Sequence, residues 1–560
     1  MKKQLVLFIT SILILSSCVS PAKQVVPTQP SATETPRATV TPLPSSTPSP
    51  TATSTPTATP KPPGLPGPVL PQGWGVSIHY EFIGPEYFTD SELSLLEGAH
   101  VGFVRDDIWP GAACDGVPVW CFEWFDDLVT TMAQRDIRVV FNLVGHNFDK
   151  SGTEETRKAF VEFARVAAEH FKGRGVIWEL WAEPDGDWSW RPRSNPQEYA
   201  LLASETITAM KEADPDAIII GPNVATLDTV FGDNPWRFLK AVGDAGVLTQ
   251  FDAVNIHLHN GGNPESQIKS LLRLRRLIDS YSPDRKIPIT SGEWGYTSGG
   301  RFYNLKVTPE QQAQYLVRSW LVNISHEIDL SIWYDWKDDT WGEMEEYDRH
   351  FGVITGTSEP KLTYTALKTL TTTLDGYEFV RRVATTSDKD YLLLFQKDHS
   401  GILVAWTSDA PHELTIPNGT GDIQAIDMSG NAVTLPVNEQ GLTLSLTGSP
   451  QYLILQEGAL GRESIHWKPE GTFFRLDGTD HSEIPVTIEN SSEQEQTYEL
   501  QATYQDGVIG NADVNITPNG KVKVQLPIDM TATPNEADLF IKIILVNQDT
   551  TQTAWVWIQE

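Results

Sequence analysis

Three glutamates stand where proton and nucleophile chemistry is possible. Glu179 and Glu183 lie four residues apart in IWELWAEPDG (177–186), and Glu293 lies in IPITSGEWG (287–295). Two neighbouring carboxyl groups divide into an acid and a base. One, kept protonated by burial or by a like charge, can release a leaving oxygen; the other, ionised, can attack or activate water. That division requires groups from distant parts of the chain to converge on one cleft.

The elements that would bring them together are repetitive. From Trp74 to about Leu370, short apolar runs alternate with longer stretches of helical spacing. The runs are GWGVSIH, VGFVRDD, IRVVFNLVG, VIWELWAEP, AIIIGPN, AVNIHLH, PITSGEW and LSIWYDW. TRKAFVEFARVAAEHFKG and SQIKSLLRLRRLIDSY typify the helices between them. Eight βα repeats in roughly 300 residues predict an α/β fold, a (β/α)8 barrel over residues 71–372. A doubly wound open sheet is the alternative, but no Gly-rich phosphate turn follows any run. After about residue 373 strand-like runs separated by Gly, Asn, Asp and Pro take over, as in DYLLLF, GILVAWT and TYELQATY. They predict two β-sandwich modules, 373–457 and an Ig-like 458–560.

Alternate side chains of a barrel strand face the lumen. One phase of IWELWAEP is Ile177, Glu179, Trp181 and Glu183, which puts Glu183 last before Pro184, at the C-terminal mouth where barrel enzymes keep their chemistry. Glu179 falls deeper and needs a partner; Arg105 is the candidate. In IPITSGEWG the phase Ile287, Ile289, Ser291, Glu293 ends on the second acid. Counted as strands four and seven, the two runs lie on opposite sides of the barrel. Two carboxylates across a mouth suit glycoside hydrolysis.

WELWAEPDG and PITSGEWG, in this order, resemble the clan A glycoside hydrolases, and most of all family 39 and its relatives, with family 5-like enzymes as the near alternative. FVRDDIWP, NIHLH and SIWYDWKDD extend the resemblance over about residues 72–372. It implies a retaining enzyme with Glu183 as acid/base and Glu293 as nucleophile, and no cofactor. It further implies that Arg105 neutralises charge near the nucleophile, that His257 bonds substrate or a carboxylate, and that Trp333 or Trp336 floors the first sugar site. The clan usually has Asn before the acid/base, where this chain has Ala182. Asn142, His146 and Asn147 are candidates to replace it; otherwise the substrate lacks a free equatorial 2-hydroxyl, or activity is weakened.

Fourteen of the 18 tryptophans lie between Trp74 and Trp341, and aromatic faces stack on sugars. Trp74, Trp178 and Trp320 are assigned to the core, and Trp188, Trp190, Trp294 and Trp341 are candidate platforms. A metal-dependent hydrolase built on His257, His259 and His146 is the rival chemistry, but the later His and Asp ligands of such barrels are not evident. No metal site is assigned.

The ends of the chain bear on its address. Lys2, Lys3, an apolar run from Leu5 to Leu15 and then Leu15-Ser16-Ser17-Cys18 resemble a lipoprotein signal peptide (1–18), with Cys18 lipidated. An ordinary cleaved signal peptide is the alternative. Residues 19–70, rich in Pro, Thr and Ser, read as a disordered stalk reaching on the order of 150 Å at most. Export permits a Cys114–Cys121 disulfide in CDGVPVWC. A net charge of −31 argues against nucleic-acid partners and leaves membrane contact to the lipid anchor. The expectation is a monomeric surface glycosidase acting on a β-linked oligo- or polysaccharide. A non-catalytic carbohydrate-binding surface protein with a degenerate barrel is the competing class.

Overall fold

The computed structural model describes residues 73–109, 122–145, 150–227, 234–299, 306–339, 350–385, 387–398, 400–416, 423–439, 441–455, 465–469, 473–475, 481–490, 492–504, 507–529, 538–547 and 551–559. Cys18, the Pro/Thr/Ser-rich segment, Cys114, Cys121, His146, Asn147 and Trp341 lie outside the described residues. Among the described residues no helix is long and apolar enough to cross a membrane.

Each of the eight apolar runs forms a strand: β1 (Gly73–Ser77), β2 (Phe103–Ile108), β3 (Arg138–Leu143), β4 (Ile177–Leu180), β5 (Ile218–Ile220), β6 (Val254–His257), β7 (Ile289–Trp294) and β8 (Ile328–Trp333). They lie in the order β5-β4-β3-β2-β1-β8-β7-β6. Parallel pairing of β1 with both β2 and β8 sits mid-sheet. Parallel bridges Ile220–Ala253 and Val224–Ile256 join the two edges, so the sheet closes on itself. This is the expected (β/α)8 barrel.

The helices are α1 (Tyr80–Ile83), α2 (Asp90–Gly98), α3 (Glu123–Ala133), α4 (Glu154–His170), α5 (Pro196–Ala213), α6 (Asn234–Asp244), α7 (Ile268–Tyr281), α8 (Pro309–Ser325) and α9 (Leu362–Thr373). Local chemistry fixes their starts. Thr89 with Glu92 and Thr308 with Gln311 form reciprocal caps on α2 and α8, and Asn195 caps α5 ahead of Pro196. On α4, Phe160, Phe163, Ala164 and Ala167 recur at helical spacing and are buried. Trp178 and Trp320 are buried as expected, and Trp74 stacks on Trp320 with centroids 5.4 Å apart.

Inside the barrel, Phe103, Val140, Ile177, Ile218, Ile220, Ala253, Leu330 and Ile332 form an apolar cluster of their own, separate from the larger core outside it. This plug is the floor on which the polar mouth is built.

Between Glu378 and Leu455 a six-stranded and a three-stranded antiparallel sheet face each other. Leu392, Leu394, Leu403 and Leu453 pack between them, while the opposite face, with Leu393, Phe395, Val404, Trp406 and Tyr452, joins the barrel's outer core. The uninterrupted apolar run YLLLF follows from burial on both faces. From Ile465 to Gln559 a three-stranded and a five-stranded sheet enclose a further core around Trp467, Val486, Leu500, Ile543 and Val556. Arg381 ties the two β regions together, donating to the carbonyl of Trp467 at 3.1 Å and to Gln552 Oε1 at 3.1 Å.

Candidate active site

One step above the plug, the lumen becomes polar. Arg105, Asn142, Glu179 and Asn255 follow Phe103, Val140, Ile177 and Ala253 by two residues on their strands, and all four are buried. Arg105 Nε donates to Glu179 Oε2 at 2.6 Å, the pairing expected for a carboxylate at that depth. Asn255 Nδ2 donates to Glu179 Oε1 at 3.0 Å and to Asn223 Oδ1 at 2.8 Å, and Thr290 Oγ1 donates to Asn255 Oδ1 at 2.6 Å. Arg105, Glu179, Asn255, Asn223 and Thr290 are each held by the next, which makes a rigid base for what stands above them.

Above it stand the two acids. Glu183 Oε1 lies 3.1 Å from His257 Nδ1, and its Oε2 accepts from Trp188 Nε1 at 2.8 Å. Glu293 Oε1 accepts from Arg105 Nη1 at 2.8 Å; its Oε2 lies 3.2 Å from His259 Nε2 and 3.7 Å from His257 Nδ1. One oxygen of each glutamate and a His257 ring nitrogen all lie within 4.8 Å of one another. Both carboxylates keep access, with 24% and 15% of their side-chain surface exposed.

Their electrostatic settings differ. Burial alone would raise the Glu293 carboxyl, but the charges of His257 and Arg105 and the His259 hydrogen bond outweigh it and hold it well below the carboxylate range. Burial would lower His257; the anionic Glu293 and its contact with Glu183 reverse that and raise it. Among the described residues Arg105 pairs with Glu179, Glu293 and, at 3.9 Å, Asp107, and not with Glu183. Asp107, next up the lumen phase of β2, accepts from Asn142 at 2.9 Å, and burial pushes it to about 6 against the opposing charge of Arg105.

Both acids reach the mouth by a route that differs from simple alternation. β4 ends at Leu180, and Trp181 and Glu183 have φ of 65° and 48°. The Trp181 ring turns out of the lumen against Phe160 and Trp190, with centroids 5.1 and 4.7 Å away. The Glu183 N–H is held by the carbonyl of Asn223 at 2.9 Å. On β7, Ile287 and Ile289 belong to the outer core, so the lumen phase is Thr290 and Gly292. Register shifts between Ser291 and Trp294 then swing Glu293 inward. At Gly292 an added Cβ would lie 2.5 Å from Asn255 Nδ2 and 2.6 Å from Glu179 Oε1, so the close approach requires glycine.

The tryptophans expected as sugar surfaces divide. Trp294, Trp333 and Trp336 are each 0% exposed, and no sugar can stack on them. Trp333 is on the outward phase of β8, since Leu330 and Ile332 fill the plug, and Trp336 packs edge-on against Tyr364. Trp190 is also buried. Among the described candidates Trp188 is the partly exposed one, and its N–H is spent on Glu183. The next lumen-phase residue of β8 is Tyr334, whose ring lies edge-on to His259 at 6.1 Å. Tyr334, His259 and Asp107 were all reachable by counting in twos from the plug. Asn142, a candidate to serve in place of an amide at position 182, is 0% exposed and bonded to Asp107.

Among the described residues two groups meet the distances for a bound cation: Glu183–His257–Glu293 and His79–Asp335–Asp339. In the first, the Arg105 guanidinium 2.8 Å from Glu293 already supplies the positive charge and opposes a second cation. In the second, His79 bridges Asp335 and Glu81, each at 3.3 Å.

No protein-family model matches the chain, and no curated protein is similar to it in sequence. Among solved structures, a family 39 glycoside hydrolase from Bacteroides cellulosilyticus is similar, at 21% identity and a TM-score of 0.59, over 69% of this chain and 81% of that one. This chain shares that structure's fold, a (β/α)8 barrel. A family 30 endoxylanase from Clostridium papyrosolvens (14% identity, TM-score 0.49, 70% and 97% covered) and a glucosidase from Croceicoccus marinus (15%, 0.48, 83% and 97%) align less well.

Proposed function

We propose that this protein is a retaining glycoside hydrolase that cleaves a β-linked oligo- or polysaccharide outside the cell, tethered to the envelope through a lipid on Cys18. The observation that carries the reading is the pair Glu183 and Glu293 sharing His257, with their oxygens within 4.8 Å at the barrel mouth. Retaining enzymes hold their carboxyl groups about 5–5.5 Å apart; inverting ones leave about 6.5–9.5 Å for a water.

Glu293, kept anionic by Arg105 and the two histidines, is the nucleophile. Its oxygen attacks the sugar carbon as the glycosidic C–O bond breaks, and Glu183 gives its proton to the departing oxygen. Water then attacks the same carbon, Glu183 takes its proton, and the bond to Glu293 breaks. No cofactor takes part. Arg105 divides its charge between Glu179 below and Glu293 above, so it holds the nucleophile in position throughout.

Release of reducing ends from aryl β-glycosides and a panel of polysaccharides tests the proposal. Glu293→Gln and Glu183→Gln are each expected to abolish turnover, and full activity in either variant overturns the assignment. One observation favours a second reading, a sugar-binding protein without turnover: Ala182 offers no amide beside the acid, and Asn142 is buried away from the cleft. Binding of a glycan by the wild type with no hydrolysis selects that reading.

A further inference from the structure

A line of rings runs from the nucleophile to the rim. His259, bonded to Glu293, meets Tyr334 at 6.1 Å. Tyr334 meets His79, just past the end of β1, at 5.7 Å. His79 stacks on Phe82 of α1 at 5.9 Å and 29°. Phe82 meets Trp109, just past the end of β2, at 5.9 Å. Phe82 is 49% exposed, and Trp109, Tyr334 and His259 are partly exposed. Exposed rings gathered at the edge of a polar cleft suit the C–H faces of sugars better than they suit water.

The direction of this line has a chemical meaning. Glu183 and its partner Trp188 stand beyond the end of β4, and the leaving sugar must depart past the group that protonates it. The rings lead the other way, from Glu293 over β8, β1 and β2. We infer that Phe82 and Trp109 form a platform for the second and later sugars on the glycone side. The inference rests on the hydrolase reading and deepens it. The substrate is then a chain, cut so that the first product is a disaccharide or longer. The chain is uncharged: Asp107, Glu293 and Asp339 flank the path with partly exposed carboxylates, while the cations beside it are engaged, Arg105 by Glu179 and Glu293 and His79 by Asp335 and Glu81. A polyuronate would be repelled there.

The test uses the full chain with β-xylan, β-glucan, β-mannan, a polyuronate and aryl β-monoglycosides. On the polymer that is cleaved, the earliest products should be dimers or longer. The Phe82→Ala/Trp109→Ala variant should lose about 10-fold more kcat/KM on that polymer than on the aryl glycoside, the loss residing in KM. Monosaccharide as the first product, equal losses on both substrates, or preference for the polyuronate overturns the platform and leaves the hydrolase reading standing. If nothing is cleaved, the hydrolase reading fails, and migration in polymer-containing native gels decides the rest. Retardation of the wild type that the double variant loses supports the platform alone; no retardation by any uncharged polymer overturns it too.

Discussion

Two buried arginine–glutamate pairs occupy very different places in this chain. At the seam between the barrel and the first β region, Arg318 of α8 grips Glu265 with Nε–Oε1 at 2.8 Å and Nη2–Oε2 at 2.5 Å. Trp406 Nε1 completes the shell at 2.7 Å, and Arg318 Nη1 reaches the carbonyl of Gly448 at 3.4 Å. In the mouth, Arg105 makes one short contact with Glu179 and a second with Glu293, and its Nη2 has no hydrogen-bond partner among the described residues. The seam pair is closed upon itself and joins two parts of the fold. The mouth pair is left open on one side, and its spare charge is directed at a carboxylate that solvent can reach. The same two residue types therefore build a rivet in one place and a tuned site in the other, according to whether the second carboxylate is already satisfied.

That contrast can be broken most severely at Arg105. Arg105→Met should lower kcat at least about 100-fold, because a donor aimed at the reacting carboxylate is gone. It should also cost about 3–5 kcal/mol of stability by stranding Glu179. Kinetics on an aryl glycoside and urea titration check both; kcat within about threefold of wild type would remove Arg105 from the site. Arg318→Met should cost a similar 3–5 or so kcal/mol in the same titration with kcat unchanged. Adding Glu265→Leu should recover most of that loss, since an apolar pair can replace a closed ion pair. No such partner change should rescue Arg105→Met. Next in size, Thr290→Val removes the donor that fixes Asn255 and should cost about 1–3 kcal/mol, with a small fall in kcat. The smallest effect concerns Asp107. Its folded carboxyl is raised to about 6, above its ordinary value near 3.9, so the native state holds the extra proton between those values. Stability therefore falls as pH rises through that window. Asp107→Asn should remove this contribution, read as a smaller drop in Tm between pH 4 and pH 7.

Much of the barrel was legible because each strand is short, apolar and followed by a helical pattern. The Arg105–Glu179 pair was legible because a buried acid requires a cation. Glu183 and Glu293 were picked by counting alternate residues, yet neither arrives by alternation. Trp181 leaves the lumen because its ring fits between Phe160 and Trp190, and β7 shifts register past Ser291. These are packing events across long sequence separations, and a period of two does not report them. Trp333 failed for a different reason: it was taken from the resemblance, without regard to the phase of its strand. Had the phase been anchored on Leu330 and Ile332, Tyr334 would have been chosen.

Gly292 leaves β7 no slack beneath Glu293. A single methyl there would press on the Glu179 carboxylate and the Asn255 amide at once, so the strand or those two side chains would have to shift beneath Glu183 and Glu293. Under the proposed mechanism the anomeric configuration survives cleavage only while those two acids stay close, and a lone hydrogen atom at position 292, where other residues carry a carbon, leaves room for that closeness.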